Sequence, residues 1–281
     1  MSSLKSFSRK RETVTAMKVN YAGTVPISTL DWTGKAAVTI FFRGCPLRCP
    51  YCQNHPYLEG PGLVELDFVK EKIKTSKPFV SAVVFSGGEP LMQEAVIPLA
   101  EFAKNLGLAV GIHTNGCYPE RVAELVERKL VDKFFIDVKA PLDDPELYGK
   151  VAGCENRGED IHPPGAGIHL RKPEEITEAV AKTVEVADAS GLEMELRTTV
   201  IRDFIGSEKE ISLIAAWVSE NVKNKGATYV LQQGIPEHSL QESLRETRVL
   251  EREELLKLGE IAKGFLGKVR IRTKEEGEEV I

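Results

Sequence analysis

Between residues 37 and 231 short apolar, β-branched runs alternate with longer segments of helical period, and a chain patterned this way folds as parallel strands with helices packed outside them. Residues 37–42, 80–85, 108–113, 133–138, 192–200 and 228–231 read as strands. Their nearly unbroken apolar character is that of strands buried on both faces. The segments between them repeat apolar residues at helical spacing. Leu99, Ala103 and Leu106 share one face of a helix over 96–106, with Pro98 in its first turn. Pro119 opens a second, with Val122, Leu125 and Val126 turned inward. Ile176, Val180, Val184 and Ala187 mark a third, stopped by Gly191. Ile211, Ile214, Val218 and Val222 mark a fourth, and Leu255, Leu258, Ile261 and Ala262 a last one. Residues 268–272 alternate in character and read as an edge strand. The expected fold is α/β: a partial (β/α)6 barrel of the TIM type, with a C-terminal helix and strand appended. Its active site is expected at the C-terminal ends of the strands.

Two stretches break the rhythm. Residues 1–20 are a polar, basic lead-in (Lys5, Arg9, Lys10, Arg11) with no apolar stretch of the signal-peptide kind. Residues 152–172 carry Gly158, Pro163, Pro164, Gly165 and Gly167 and read as a loop insertion. The expected division is therefore 1–20 lead-in, 21–235 barrel domain and 236–281 C-terminal extension, with 275–279 a short acidic tail. The longest apolar runs, 36–42 and 79–85, are far too short to span a bilayer, so no membrane association is expected. With 37 Lys+Arg against 42 Asp+Glu, bulk nucleic-acid binding is not expected either. The expected location is the cytoplasm.

The chain has five cysteines, an odd number, and three of them fall within eight residues: Cys45, Cys49 and Cys52. In a reducing compartment, clustered cysteines are metal ligands or redox catalysts more often than disulfides. The spacing C-x3-C-x2-C directly follows the first strand, at its C-terminal end. Three thiolates on one tight loop can hold three irons of a [4Fe–4S] cluster, leaving the fourth iron open to a non-protein ligand. Two other chemistries fit the same residues. Cys49-Pro50-Tyr51-Cys52 alone is a dithiol pattern, although a dithiol enzyme has no need of Cys45 and Pro56 prevents a long helix there. A Cys3His zinc site would recruit His55. Inert buried thiols suit a segment with two prolines and Arg48 poorly.

The later strand ends carry polar residues too. The second ends in Ser86-Gly87-Gly88-Glu89-Pro90, two glycines that permit close backbone approach to a ligand and one carboxylate acceptor. The third ends in His113-Thr114-Asn115-Gly116. On the fourth, alternation puts Asp137 and Lys139 on one face, an acceptor beside a donor. Arg197 on the fifth lies within apolar residues and demands a buried partner. The sixth ends in Gln232-Gln233, suited to an adenine edge or a ribose, or simply to solvated loop. Ordinary strand-to-helix turns and surface ion pairs are the competing readings for each of these taken singly.

Together, Cys45, Cys49 and Cys52, the aromatic Tyr51 and the Gly87-Gly88-Glu89-Pro90 motif resemble the signature of the radical S-adenosylmethionine (SAM) superfamily. The resemblance implies that the three cysteines hold a [4Fe–4S] cluster whose open iron chelates SAM. It implies reductive cleavage of SAM to methionine and a 5′-deoxyadenosyl radical, with Glu89 and its two glycines meeting the methionine amino group. Carried over residue by residue, the cofactor contacts are Tyr51, Gln53, Asn54, Ser86, Gly87, Gly88, Glu89, Thr114, Asn115, Asp137, Lys139, Arg197 and Gln232. Within the superfamily the chain is most similar to activating enzymes of glycyl-radical proteins, of the type that serves anaerobic ribonucleoside-triphosphate reductase. That match runs over roughly residues 20–235. It includes Ile27-Ser28-Thr29-Leu30-Asp31-Trp32-Thr33-Gly34-Lys35, Phe41-Phe42-Arg43-Gly44-Cys45, Cys49-Pro50-Tyr51-Cys52-Gln53-Asn54, His113-Thr114-Asn115-Gly116, Phe135-Ile136-Asp137-Val138-Lys139, Leu196-Arg197-Thr198-Thr199-Val200 and Leu231-Gln232-Gln233. The implied partners are a glycyl-radical enzyme and a ferredoxin or flavodoxin as electron donor. The departures are Gln53, where these activases often have His, and His113, where the pyruvate formate-lyase activases have an acid. No second CxxC cluster precedes Gly87. The competing functions are radical SAM chemistry on a small molecule, on RNA or on another glycyl-radical enzyme such as pyruvate formate-lyase, and, from another class, a structural zinc or dithiol redox protein. Cys117 and Cys154 read as small buried hydrophobes, and His162 and His169 as solvent-facing loop residues.

Overall fold

The structure, a computed structural model, describes residues 17–60, 62–154 and 172–281. The loop residues predicted at Gly158, Pro163, Pro164, Gly165 and Gly167, with His162 and His169, lie outside the described residues, as does the lead-in up to residue 16.

In chain order the strands are β1 (Lys18–Ser28), β2 (Ala37–Phe42), β3 (Leu63–Glu65), β4 (Ala82–Gly87), β5 (Ala109–Thr114), β6 (Lys133–Asp137), β7 (Glu193–Val200), β8 (Thr228–Gln233), β9 (Val269–Thr273) and β10 (Gly277–Val280). The helices are α1 (Leu66–Ser76), α2 (Val96–Asn105), α3 (Pro119–Glu127), α4 (Pro145–Ala152), α5 (Pro173–Ser190), α6 (Glu208–Asn221), α7 (Glu242–Arg245) and α8 (Arg252–Lys263). All strands join one sheet in the order β10-β9-β8-β7-β6-β5-β4-β2-β1-β3. Strands β2 and β4 through β9 run parallel, whereas β1, β3 and β10 are antiparallel to their neighbours.

The six predicted strands form, and several features differ from expectation. Residues 268–272 are not an edge: β9 pairs in parallel with β8 and is covered on its other side by β10. Residues 275–279 are not a loose acidic tail, because Glu278 and Glu279 sit in β10 and pair with Arg272 and Arg252. The polar lead-in already contains the start of β1 at Lys18, whose alternation is interrupted by Gly23 and Pro26 and so escapes a periodicity reading. Helix α4 was also unforeseen. Asp144 caps its first turn by accepting from Leu147 N at 3.0 Å, and Gly153 ends it at φ 69°.

Alternation along the parallel strands separates two environments. One side chain set, including Val38, Ile40, Phe85, Ile112, Ile136, Leu196 and Leu231, is buried beneath the helices and forms the main core. The other set points into the barrel and includes an apolar cluster toward the N-terminal ends of the strands. There Trp32, from the β1–β2 connection, packs with Ala37, Ala82, Val84 and Phe135. Trp32 meets Phe135 edge-to-face at 5.8 Å, a geometry that adds about 1 kcal/mol to simple burial. Gly111 makes room for this plug, since a Cβ there would lie 3.0 Å from the indole. Beside this plug, on β6, β7 and β9, the interior is charged. Glu195 is almost fully buried between Lys133 (3.2 Å) and Arg272 (3.0 Å). The floor is therefore sealed by aromatics, and the open end belongs to polar groups at the C-terminal ends of the strands.

Candidate active site

The loop after β2 is held from three sides by its own backbone and by its neighbours. Arg48 Nη1 donates to the carbonyls of Cys45 (2.6 Å) and Leu47 (2.9 Å), curling the loop around its guanidinium. Arg48 N donates to Ala152 O at 3.0 Å, so the end of α4 supports the loop. Gly88 N donates to Phe42 O (2.9 Å), Glu89 N to Gly44 O (2.8 Å), and Asn54 Nδ2 to Gly87 O (2.9 Å). The two glycines thus allow approach of one backbone to another. A Cβ on Gly88 would fall 1.9 Å from Gly44 O, and one on Gly87 2.4 Å from the Phe42 backbone. Both glycines also line the cavity.

Cys45 Sγ accepts from Leu47 N and from Asn115 Nδ2, both at 3.4 Å. N–H donors aimed at a sulfur suit a thiolate bound to iron. Burial, with Cys49 beside it, pushes the Cys45 thiol far above its ordinary range. Burial likewise raises the Cys52 thiol to about 11. Thiols so placed keep their protons until a metal displaces them. Among the described residues no three His, Cys, Asp or Glu side chains converge tightly enough to ligate a single ion. A cubane asks something different, one thiolate on each of three separate irons.

The cysteines form one wall of a cavity of about 750 Å³. Its lining includes Cys45, Cys49, Cys52, Tyr51, Gln53, Asn54, Ser86, Gly87, Gly88, Thr114, Asn115, Asp137, Lys139, Arg197 and Gln232. Sequence reasoning assembled this set from six separate strand ends, and the fold brings it together. Glu89 is the exception. It is fully buried and does not line the cavity. Its carboxylate accepts from Leu91 N (3.0 Å), Thr114 Oγ1 (2.9 Å) and Asn115 N (2.7 Å). Burial raises Glu89 to about 7, even though all three donors favour the ionised form. Its place in the structure is to tie the β4 end to the β5 end, which in turn aims Asn115 at Cys45.

Opposite the cysteines lies a charged triad. Arg197 Nε and Nη2 donate to Asp137 Oδ1 at 3.1 and 3.0 Å, and Lys139 Nζ donates to Oδ2 at 3.0 Å. The partner that a buried Arg197 requires is thus Asp137. Burial alone would raise Asp137, but Lys139 and Arg197 outweigh it and hold the carboxyl down at about 2. Arg197 Nη1 also donates to His113 Nδ1 at 3.4 Å, which leaves His113 Nε2 as donor to Asp31 O at 3.0 Å. Burial and the Arg197 charge keep His113 neutral. Tyr51 packs edge-on to Phe204 at 6.1 Å and lies 6.0 Å below Lys139 Nζ.

Several cavity residues were missed, Arg272 among them. Arg272, on β9, donates Nη1 to Gln232 Oε1 at 2.9 Å and lines the cavity. This fixes the Gln232 amide so that Nε2 is its donor end, 3.3 Å from Thr199 Oγ1. The alternation of Arg270 and Arg272 was the available signal, read as an edge strand. Gln233 also lines the cavity, its amide accepting from Lys274 N and donating to Leu250 O. Cys117 and Cys154 are buried in the outer core and do not line the cavity.

The triad carries a pH prediction. Holding Asp137 at about 2 instead of the ordinary 3.8 is worth about 2 kcal/mol of folding stability. The folded-state value is depressed, so this contribution is complete above about pH 4 and is lost as pH falls toward 2. Asp137→Asn should flatten that part of the urea-denaturation profile. Asp137→Ala, which also strands two cations, should weaken SAM binding while iron content stays at the unsubstituted level. An unchanged acid limb in Asp137→Asn would contradict the assignment.

The cavity size lies within the usual range for small-ligand sites, and the three thiols, their N–H donors and the charged triad fit a cluster with a zwitterionic cofactor. Among the described residues no helix is long and apolar enough to cross a membrane. The model of the radical SAM superfamily matches residues 39–203. A protein of Methanocaldococcus jannaschii that carries the provisional name glycyl-radical enzyme activating enzyme is 33% identical over 259 residues, 92% of this chain and 97% of its own length. The pyruvate formate-lyase-activating enzyme of Clostridium pasteurianum is 34% identical over 128 residues, 43% of this chain and 52% of its own. A radical SAM methyltransferase from Sphaerobacter thermophilus shares the fold at TM-score 0.64 and 14% identity, over 87% of this chain and 68% of that one. The chain belongs to the radical SAM superfamily, which uses a [4Fe–4S] cluster and SAM, and within it to the glycyl-radical enzyme activating enzymes.

Proposed function

We propose that this activase installs a glycyl radical on anaerobic ribonucleoside-triphosphate reductase. The observation that carries the reading is the near-full-length similarity to an activating enzyme, joined to the motif series from Ile27 to Gln233 that resembles the reductase-serving type. Cys45, Cys49 and Cys52 hold the cluster, and Asn115 and the Leu47 amide steady the Cys45 sulfur. Asp137, Lys139 and the Gln232 amide bind SAM, with Arg197 fixing the Asp137 carboxylate. Gly87, Gly88 and Glu89 act mainly by locking the cysteine loop to β4. Ser86, Thr114, Tyr51, Gln53 and Asn54 complete the wall. When bound, the cluster and SAM supply a 5′-deoxyadenosyl radical that takes one hydrogen atom from a glycine α-carbon, given one electron from a reduced ferredoxin or flavodoxin. Residues 21–235 carry this chemistry, 236–281 complete the barrel wall, and the protein works in the cytoplasm.

The test is anaerobic mixing of reconstituted enzyme, SAM, reduced flavodoxin and the reductase polypeptide. A glycyl doublet in the electron paramagnetic resonance spectrum, with one 5′-deoxyadenosine released per radical, is the expected result. A doublet on pyruvate formate-lyase and none on the reductase would overturn the choice of partner. SAM cleavage with no protein radical on either would overturn activation of both.

A further inference from the structure

The outer edge of β1 is covered only at its start. β3 pairs with Lys18, Val19 and Asn20, and Tyr21 N reaches Gly62 O at 2.8 Å. From Gly23 to Ser28 no strand pairs with that edge among the described residues. The same stretch exposes large apolar side chains: Val25 is 40% exposed, Ile27 52% and Leu30, just beyond it, 79%. Exposed apolar residues grouped this closely mark an interaction surface more often than chance exposure. The patch runs into the candidate active site. Thr29 and Leu30 line the cavity, as does Phe41, which pairs with Gly23 across the β1–β2 ladder. Val25 pairs with Thr39, whose hydroxyl donates to Asp31 Oδ2, so Val25 faces the barrel interior. The far lip of the opening is polar, formed by Thr273, Lys274 and Glu278, and Thr33 Oγ1 donates across it to Glu278 Oε2 at 3.1 Å.

We propose that the 23–30 edge is the docking surface for the substrate protein, which lays an extended segment along β1 and passes its glycine into the cavity past Leu30. The inference rests on the activase reading above and adds where the polypeptide binds. An unpaired strand edge offers alternating backbone donors and acceptors that another extended backbone satisfies best, with flanking side-chain pockets giving selectivity. An extended segment also presents its α-carbons at the cavity mouth without a helix's bulk. Pro26 supplies no N–H, which limits pairing to a short segment and discourages long edge-to-edge pairing between copies of this chain.

The experiment uses full-length enzyme and the reductase polypeptide. Ile27→Asp should weaken binding about tenfold or more, the size expected for a charge placed in an apolar contact. SAM cleavage by Ile27→Asp in the absence of the reductase should match the unsubstituted enzyme. Leu30→Asp should weaken reductase binding similarly. Phe265→Asp, an exposed aromatic on another surface, should leave affinity unchanged. Hydrogen exchange should show the 23–30 amides protected when the reductase is added. If the glycyl radical forms but Ile27→Asp binds normally and 23–30 gain no protection, docking elsewhere is established and the inference fails alone. If the unsubstituted enzyme forms no radical on the reductase, the activase reading fails and this inference falls with it. Self-association of the enzyme that Ile27→Asp abolishes would assign the edge to a second copy and overturn the proposal.

Discussion

Cys45→Ala, Cys49→Ala and Cys52→Ala should each lose the cluster and, with it, all cleavage of SAM. On the proposed assignment each thiolate ligates a different iron, so no neighbour can take over the role of another. Among the described residues no other cysteine lines the cavity. Cys117 and Cys154 are buried in the outer core and stand outside the cavity lining. His55, the one histidine on the cysteine loop, lies in the short turn His55–Tyr57 beyond Cys52. The expected readouts are iron and sulfide content after anaerobic reconstitution, the visible absorption of the cluster, and 5′-deoxyadenosine yield. All three should fall to background in each variant. Cys117→Ala should keep its iron, because that side chain serves packing alone; the loss of a small buried side chain costs about 1 kcal/mol and no ligand. Full cleavage by any of the three cysteine variants would remove the cluster assignment. Bound zinc in the unsubstituted protein with SAM left intact would favour the zinc or dithiol reading.

The parts of this molecule that were legible in the sequence are those where chemistry and fold ask for the same residues. Buried parallel strands are rich in apolar residues, so β2, β4, β5, β6 and β8 announced themselves by their runs and β7 by its alternation, and their polar ends followed. Alternation was enough to place Asp137 and Lys139 side by side, and the cost of a lone buried guanidinium was enough to demand a partner for Arg197. What was not legible depends on contacts between distant segments. β9 carries Arg270 and Arg272 where an outward face would carry them, yet at that end the barrel interior itself is charged, with Glu278 and Glu195 as partners. Nothing local marks Glu278 as a buried acid, because its partners arrive from β9 and from Thr33, far back in the chain. Trp32 read as part of a motif and proved to be the plug of the barrel floor. Glu89 read as a ligand contact, since a carboxylate after two glycines at a strand end fits one; only the fold shows its oxygens directed to Leu91, Thr114 and Asn115.

That reassignment makes Gly88→Ala the sharpest structural test of the site. A methyl at Gly88 would lie 1.9 Å from the carbonyl oxygen and 2.7 Å from the carbonyl carbon of Gly44, one residue before the first ligand. Backbone cannot move aside as a flexible side chain can, so the β4 end and the cysteine loop must separate. Separation breaks the Glu89 N to Gly44 O and Gly88 N to Phe42 O bonds. It also draws Glu89 off the Asn115 amide and, through Asn115, disturbs the donor on Cys45 Sγ. Forced overpacking costs about 1–3 kcal/mol, and each buried polar group left unpaired adds about 1–3 more. The sum rivals the roughly 5–15 kcal/mol that keeps a domain folded. Gly88→Ala should therefore melt at a clearly lower temperature than the unsubstituted protein and retain little iron after reconstitution, although it removes no ligand. Gly267→Ala is the matching control, because a Cβ there meets nothing within 4 Å. If Gly88→Ala instead melted normally and held its cluster but bound SAM weakly, Gly88 would be acting on the cofactor directly, and locking the cysteine loop would no longer explain the paired glycines.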